Sequence, residues 1–90
     1  QIDTNNHRVV RDGVTVDLTV REYAILEYLV RNRNIVVTRE QIRANIWSID
    51  DDINSNVVDV YIRYLRRKID DPFKEKLIHT IRGVGYRLEC

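Results

Sequence analysis

The residues with the most chemistry to offer lie between Ser55 and Ile69, in the run SNVVDVYIRYLRRKI. Arg63, Arg66, Arg67 and Lys68 set four cations there against one acid, Asp59, while the 90-residue chain carries a formal net charge of only +1. At about 100° per residue, Val58, Ile62, Leu65 and Ile69 fall on one apolar stripe of a helix. The opposite side collects Asn56, Val60, Arg63, Tyr64 and Arg67. A helix docked by that stripe turns guanidiniums, an amide, a phenol and a small apolar group toward solvent. These groups suit the edges of DNA bases. Arginine pairs two-pronged with guanine O6 and N7, asparagine with adenine, and valine meets the thymine methyl.

Other chemistries find little support. His7 and His79 have no Cys, His or Asp partners at metal-ligand spacing, and Cys90 is the only cysteine. Gly83 and Gly85 form a short G-x-G, but no phosphate-binding fingerprint runs from a strand into a helix. No serine or cysteine sits in a nucleophile motif. The expectation is no metal, no cofactor and no catalysis. A lone terminal thiol fits a reducing compartment, hence a cytoplasmic location. No apolar run approaches the 18 or so residues of a membrane span. Hydrophobic content of 43% and charged content of 32% describe one folded domain over residues 1–90, and the absence of methionine marks it as a piece of something longer.

The elements that must hold the basic helix can be taken in order. Residues 2–18 alternate short β-rich runs with turn signals, and Asp12-Gly13 between His7–Arg11 and Val14–Leu18 predicts an antiparallel hairpin. Thr19 with Glu22 three residues on is a capping-box pattern, and Val20, Tyr23, Ala24, Leu26, Tyr28 and Leu29 give that helix its apolar side. Asn34 suits a left-handed stop. Ile35–Val37 is a short β-rich link. Thr38 with Gln41 starts a second helix carrying Ile42, Ile46 and Trp47. The acidic stretch Ser48–Asn54 follows, with Ile49 and Ile53 as possible anchors, and Asn54 or Ser55 is placed to cap the basic helix. Asp70, Asp71 and Pro72 end that helix. Leu77–Ile81 and Tyr86–Leu88 then flank Arg82-Gly83-Val84-Gly85, a glycine-tipped hairpin. The register of its first strand is not legible, because Leu77, Ile78 and Ile81 occupy both parities. The fold class is α+β: an N-terminal antiparallel sheet, three helices and a C-terminal β-hairpin wing, the winged helix-turn-helix arrangement.

The sequence resembles the C-terminal DNA-binding effector domain of OmpR/PhoB-type bacterial response regulators. The resemblance rests on Leu18-Thr19 with Glu22-Tyr23 and Leu26; on Val37-Thr38-Arg39-Glu40-Gln41-Ile42 running to Trp47; on Val58-Asp59-Val60-Tyr61-Ile62 with Leu65-Arg66; and on Ile78-His79-Thr80-Ile81-Arg82-Gly83-Val84-Gly85-Tyr86-Arg87-Leu88. The last string is the most specific. The resemblance implies a four-stranded N-terminal sheet and a transcription factor of the two-component phosphorelay. Its receiver domain, the target of a sensor histidine kinase, lies N-terminal and outside this sequence. It implies head-to-tail homodimers on direct repeats of double-stranded DNA, with the third helix in the major groove and the wing at the neighbouring minor groove. Arg82, held by Gly83 and Gly85, suits the negative potential of a narrow minor groove. Thr80 and Tyr86 match positions that touch the DNA backbone, and the indole N–H of Trp47 matches a phosphate contact. Tyr61 and Arg66 flank the groove face as phosphate candidates. Thr38 and Arg39 open the second helix, whose free N–H groups suit a phosphate, although capping alone explains Thr38. Asp50, Asp51 and Asp52 fall in the loop by which relatives touch RNA polymerase; a solvated loop is the alternative. Two departures limit the transfer. Relatives carry arginine where this chain has Tyr64, and also where it has Asn56. The departure at Tyr64, the acidic loop and the modest net charge are the features that favour the competing interpretation, a winged helix serving as a protein-interaction module without specific DNA binding.

Overall fold

The computed structural model describes residues 2–3, 7–48 and 56–90. Three strands open the chain: β1 (Ile2–Asp3), β2 (Arg8–Arg11) and β3 (Val14–Asp17), antiparallel in the order β1-β2-β3. Asp12 and Gly13 both take positive φ, +50° and +78°, which lets the turn follow the twist of β2 and β3 and sets Val9 opposite Val16. The family resemblance implies four strands here; the sheet has three among the described residues.

Helix α1 (Val20–Arg31) starts on the expected capping box. Thr19 Oγ1 accepts the Glu22 N–H at 3.2 Å, and Glu22 Oε1 accepts the Thr19 N–H at 2.9 Å. Its buried side differs from the expected one. Glu22, Ile25, Leu26 and Leu29 form the inward stripe beside Tyr23, and Val20 is 68% exposed. Val20 lies nearly opposite that stripe on a helix of 3.6 residues per turn. Asn34 takes φ +66° and donates its N–H to Leu88 O at 2.7 Å, so the exit from α1 is bonded to the C-terminal strand.

The short link after α1 proves to be a sheet strand. β4 (Val37–Thr38) pairs with β6 (Gly85–Leu88), which pairs with β5 (Ile78–Ile81), giving the order β4-β6-β5. The register is Ile78 to Leu88 and Thr80 to Tyr86. Ile78 and Leu88 are buried, whereas Thr80, on the same face nearer the wing tip, is exposed. Gly83 sits in the turn at φ +74°. Gly85 has another reason to be glycine: a Cβ there would lie 2.0 Å from Val37 O. Thr38 ends β4 and also caps α2 (Arg39–Ile46), with Gln41 N–H on its Oγ1 at 3.0 Å and its own N–H on Gln41 Oε1 at 2.8 Å.

Helix α3 (Val57–Ile69) buries Val58, Ile62, Leu65 and Ile69, the expected stripe, each at most 2% exposed. Each buried aliphatic of this size contributes roughly 1.5–3 kcal/mol relative to exposure, so the stripe alone fixes which way the basic face points. The expected boundary shifts at the start of the helix. Asn56 is the N-cap residue, with no side-chain cap bond, and therefore precedes the first turn. The proposed caps Asn54 and Ser55, the anchors Ile49 and Ile53, and Asp50–Asp52 lie outside the described residues.

Candidate nucleic-acid interface

Two ion pairs, each with a buried carboxylate, hold α3 from its C-terminal end. Lys68 Nζ meets Glu22 Oε1 at 2.6 Å, and the Glu22 side chain is 4% exposed. Burial pushes the Glu22 carboxyl upward, but the Lys68 ammonium and the Thr19 N–H outweigh it and hold the carboxyl below its ordinary range. Asp70, 2% exposed, accepts the N–H groups of Leu77 and Ile78 at 3.0 Å each and faces Arg11 Nη1 at 3.0 Å. Arg11 also donates to Ile69 O and Glu75 O, and its guanidinium lies over the Phe73 ring. Neither pair was legible from spacing, because the partners are 46 and 59 residues apart.

With its apolar side locked, α3 presents Arg63, Tyr64 and Arg67 to solvent, with Val60 half-buried between them and Asn56 exposed at the N-cap. Among the described residues, neither Arg63 nor Arg67 has an ion-pair partner within bonding distance. Tyr64 is 41% exposed and is not adrift. Its ring meets Tyr61 edge-on at 5.6 Å, and Tyr61 meets the buried Trp47 at 5.5 Å. Arg21 lies 4.9 Å over the other end of this aromatic row and donates to Ile46 O at 3.3 Å. Arg21, which sits on α1, is not among the expected site residues. It lies inside the Thr19–Glu22 capping box, and nothing in its spacing pairs it with Trp47, 26 residues on.

The backbone-facing candidates divide. Thr38 spends its hydroxyl on the α2 cap. Arg39 Nε donates to Asp59 Oδ1 at 2.7 Å, and the Tyr86 hydroxyl donates to the same oxygen. Arg66 Nη2 donates to Thr80 Oγ1 at 2.7 Å and Ile78 O at 3.2 Å, tying α3 to the first wing strand. The Tyr86 ring is bracketed by Arg39 and Arg66 at 5.2 and 5.5 Å. Burial raises the Asp59 carboxyl, yet the hydrogen bonds from Tyr86 and Arg39 and the charges of Arg39 and Arg63 win and hold it below the carboxylate range. Burial and Asp59 together push the Tyr86 phenol upward. Arg82 is exposed at the wing tip beside Gly83 and the half-exposed Val84.

No group of three or more His, Cys, Asp or Glu side chains is arranged for a metal ion, and no helix is long and apolar enough to cross a membrane, among the described residues. Three helices, a cationic face on the third, and a glycine-tipped hairpin fastened to that helix by Arg66 define a winged helix-turn-helix. Residues 13–88 match the family model described as "Transcriptional regulatory protein, C terminal", and the chain belongs to that family. Its relatives are OmpR/PhoB-type response regulators, a regulatory family rather than an enzyme class. It is 52% identical over 85 residues to the response regulator ArlR of Staphylococcus saprophyticus subsp. saprophyticus, covering 94% of this chain and 39% of ArlR. The chain thus spans about two-fifths of the length of that relative. Its fold superposes with a TM-score of 0.84 on the AdeR DNA-binding domain, solved in complex with an intercistronic region (29% identity, 99% of this chain, 92% of that one). The same TM-score, 0.84, relates it to DrrB, a Thermotoga maritima OmpR/PhoB homologue (37% identity, 99% of this chain, 41% of that one).

Proposed function

We propose that this domain binds duplex DNA sequence-specifically to control transcription, as the output domain of a two-component response regulator. One observation carries the proposal. The apolar side of α3 is locked into the core, and the face left outside holds Arg63, Tyr64 and Arg67, both arginines lacking ion-pair partners among the described residues. In this account α3 enters the major groove, where Arg63 and Arg67 read guanines, Asn56 an adenine and Val60 a thymine methyl. Tyr64, propped on Tyr61, meets a base edge or the sugar next to it. Arg82 and Gly83 approach the minor groove. Tyr61, the indole of Trp47 and the amide groups at the start of α2 near Thr38 contact phosphates. Thr80 accepts its bond from Arg66 and keeps its own hydroxyl proton for a phosphate. Arg39, Arg66 and Tyr86 act chiefly within the protein.

The likeness to the AdeR DNA-binding domain, solved in complex with an intercistronic region, supports DNA binding by this fold. A receiver domain phosphorylated by a histidine kinase, head-to-tail pairing on direct repeats, and a polymerase contact through Asp50–Asp52 belong to the same proposal for the longer protein. The test is a titration with mixed-sequence duplex at low and raised salt, followed by selection from a random duplex pool. Binding at low salt that weakens steeply as counterions compete, with enrichment of one motif, is expected. No binding at low salt overturns the proposal and leaves a protein-interaction module as the explanation of the cationic face.

A further inference from the structure

Asp59 stands out on α3 because it is the only acid in a helix whose exposed side is otherwise cationic. An anion there repels DNA phosphates, so a purely DNA-attracting surface has no use for it. Its surroundings supply the reason. One oxygen, Oδ1, takes the Arg39 Nε–H at 2.7 Å and the Tyr86 hydroxyl. Arg39 opens α2, Asp59 lies in the first turn of α3, and Tyr86 stands on β6, whose neighbours are β4 and β5. Arg39 is also seated over the Tyr86 ring at 5.2 Å. The carboxylate therefore sits between a guanidinium and a phenol, two groups that also suit a DNA phosphate. It is bound in the free protein, at the junction of both elements that approach the duplex.

We propose that Asp59 is an internal substitute for phosphate: it withholds the charge of Arg39 from the DNA backbone and fixes α2, α3 and the wing strand on one anion. The inference rests on DNA binding by this face. Its consequence is selectivity. An arginine free to take any phosphate adds equally to binding at every sequence, whereas an arginine already neutralised adds to none. The groove face is left to Arg63 and Arg67, which have no such partner among the described residues. Asp59 remains low in its titration range and Arg39 is held high, so the pair is charged throughout the neutral region. Asp59 is a positioning residue in this scheme, with no contact to DNA of its own.

The experiment is a double-mutant cycle read in the salt dependence of binding to mixed-sequence duplex. Each phosphate neutralised adds about 0.9 to the slope of log K against log salt. Arg39→Ala alone should leave the wild-type slope unchanged. Asp59→Asn, which keeps an acceptor of the same shape, should steepen it by about 0.9, and adding Arg39→Ala should return it to the wild-type value. Glu40→Gln removes the neighbouring exposed acid, whose partner is Arg43 at 3.7 Å; in that background Arg39→Ala should again have no effect. Thermal melts by circular dichroism confirm that each variant is folded, and Asp59→Ala replaces any Asp59→Asn protein that is not. If Arg39→Ala lowers the wild-type slope as much as it lowers the Asp59→Asn slope, Arg39 reaches phosphate despite Asp59 and the inference is wrong. If Glu40→Gln gives the same coupling, the effect is one of overall charge, which equally overturns it. Wild-type protein that binds no duplex at low salt would instead remove the DNA-binding account on which it rests.

Discussion

Removing the carboxylate of Asp70 should be among the most damaging single changes to this domain. Asp70 is 2% exposed and accepts three bonds: the N–H groups of Leu77 and Ile78, and Arg11 Nη1, all at 3.0 Å. The Arg11 side chain is itself only 11% exposed. Asp70→Ala strands two backbone donors and leaves a nearly buried guanidinium without its counter-charge. Breaking a buried pair from one side costs roughly 3–5 kcal/mol. Arg11 keeps its bonds to Ile69 O and Glu75 O and its place over Phe73, so the lower end of that range is the better expectation. For a domain of this length, 3 kcal/mol corresponds to a fall in Tm of about 12–24 °C. Urea unfolding would give the free energy directly. The partner change, Arg11→Met, removes the stranded charge, so the double variant should be more stable than the sum of the two losses by at least about 1.5 kcal/mol. A loss below about 1 kcal/mol for Asp70→Ala, or strict additivity with Arg11→Met, would show that this node does not hold β2 to the end of α3.

Four further outcomes follow from the same geometry. Gly85→Ala forces a methyl against Val37 O and Thr38 Cα, at 2.0 and 2.8 Å, so β4 must separate from β6; a stability loss of about 3 kcal/mol or more is expected in urea unfolding, where Gly83→Ala should cost less. Thr19→Ala and Thr38→Ala each break a capping box and should each cost about 1 kcal/mol, additively, since the caps serve different helices. Glu22 and Asp59 both titrate below their unfolded values, so their stabilisation is full above the ordinary carboxylate range and is lost as pH falls through the depressed folded values. Lys68→Met should therefore flatten the acid limb of a stability-against-pH curve, and an unchanged limb would remove Lys68 as the cause. Tyr64→Ala should change sequence preference more than it changes salt dependence, because a phenol carries no charge to exchange with counterions.

The sequence disclosed α3 and its two faces because Val58, Ile62, Leu65 and Ile69 repeat at helical spacing, a local property of the chain. The capping boxes at Thr19 and Thr38 and the Asp12-Gly13 turn were legible for the same reason. What escaped was non-local. Ile35–Val37 reads as a link because the strand that Val37 joins, β6, is nearly 50 residues away in the register of Val37 with Tyr86. Gly85 reads as a turn residue, yet its demand comes from the backbone of β4. Arg39 and Tyr86 read as phosphate ligands, and the bonds that both make to Asp59 span 20 and 27 residues of sequence. Residue type names a chemistry, and only packing says whether the group is already spoken for.

The central claim is that the exposed face of α3 reads DNA. Its most direct test is the affinity of Arg63→Ala and Arg67→Ala for the duplex selected from a random pool, compared with single-base variants of that duplex. Each change should weaken binding to the selected duplex by about 1–3 kcal/mol and erase discrimination at one base position, with folding intact. If both variants keep wild-type affinity and wild-type discrimination at every position, α3 does not enter the groove as described.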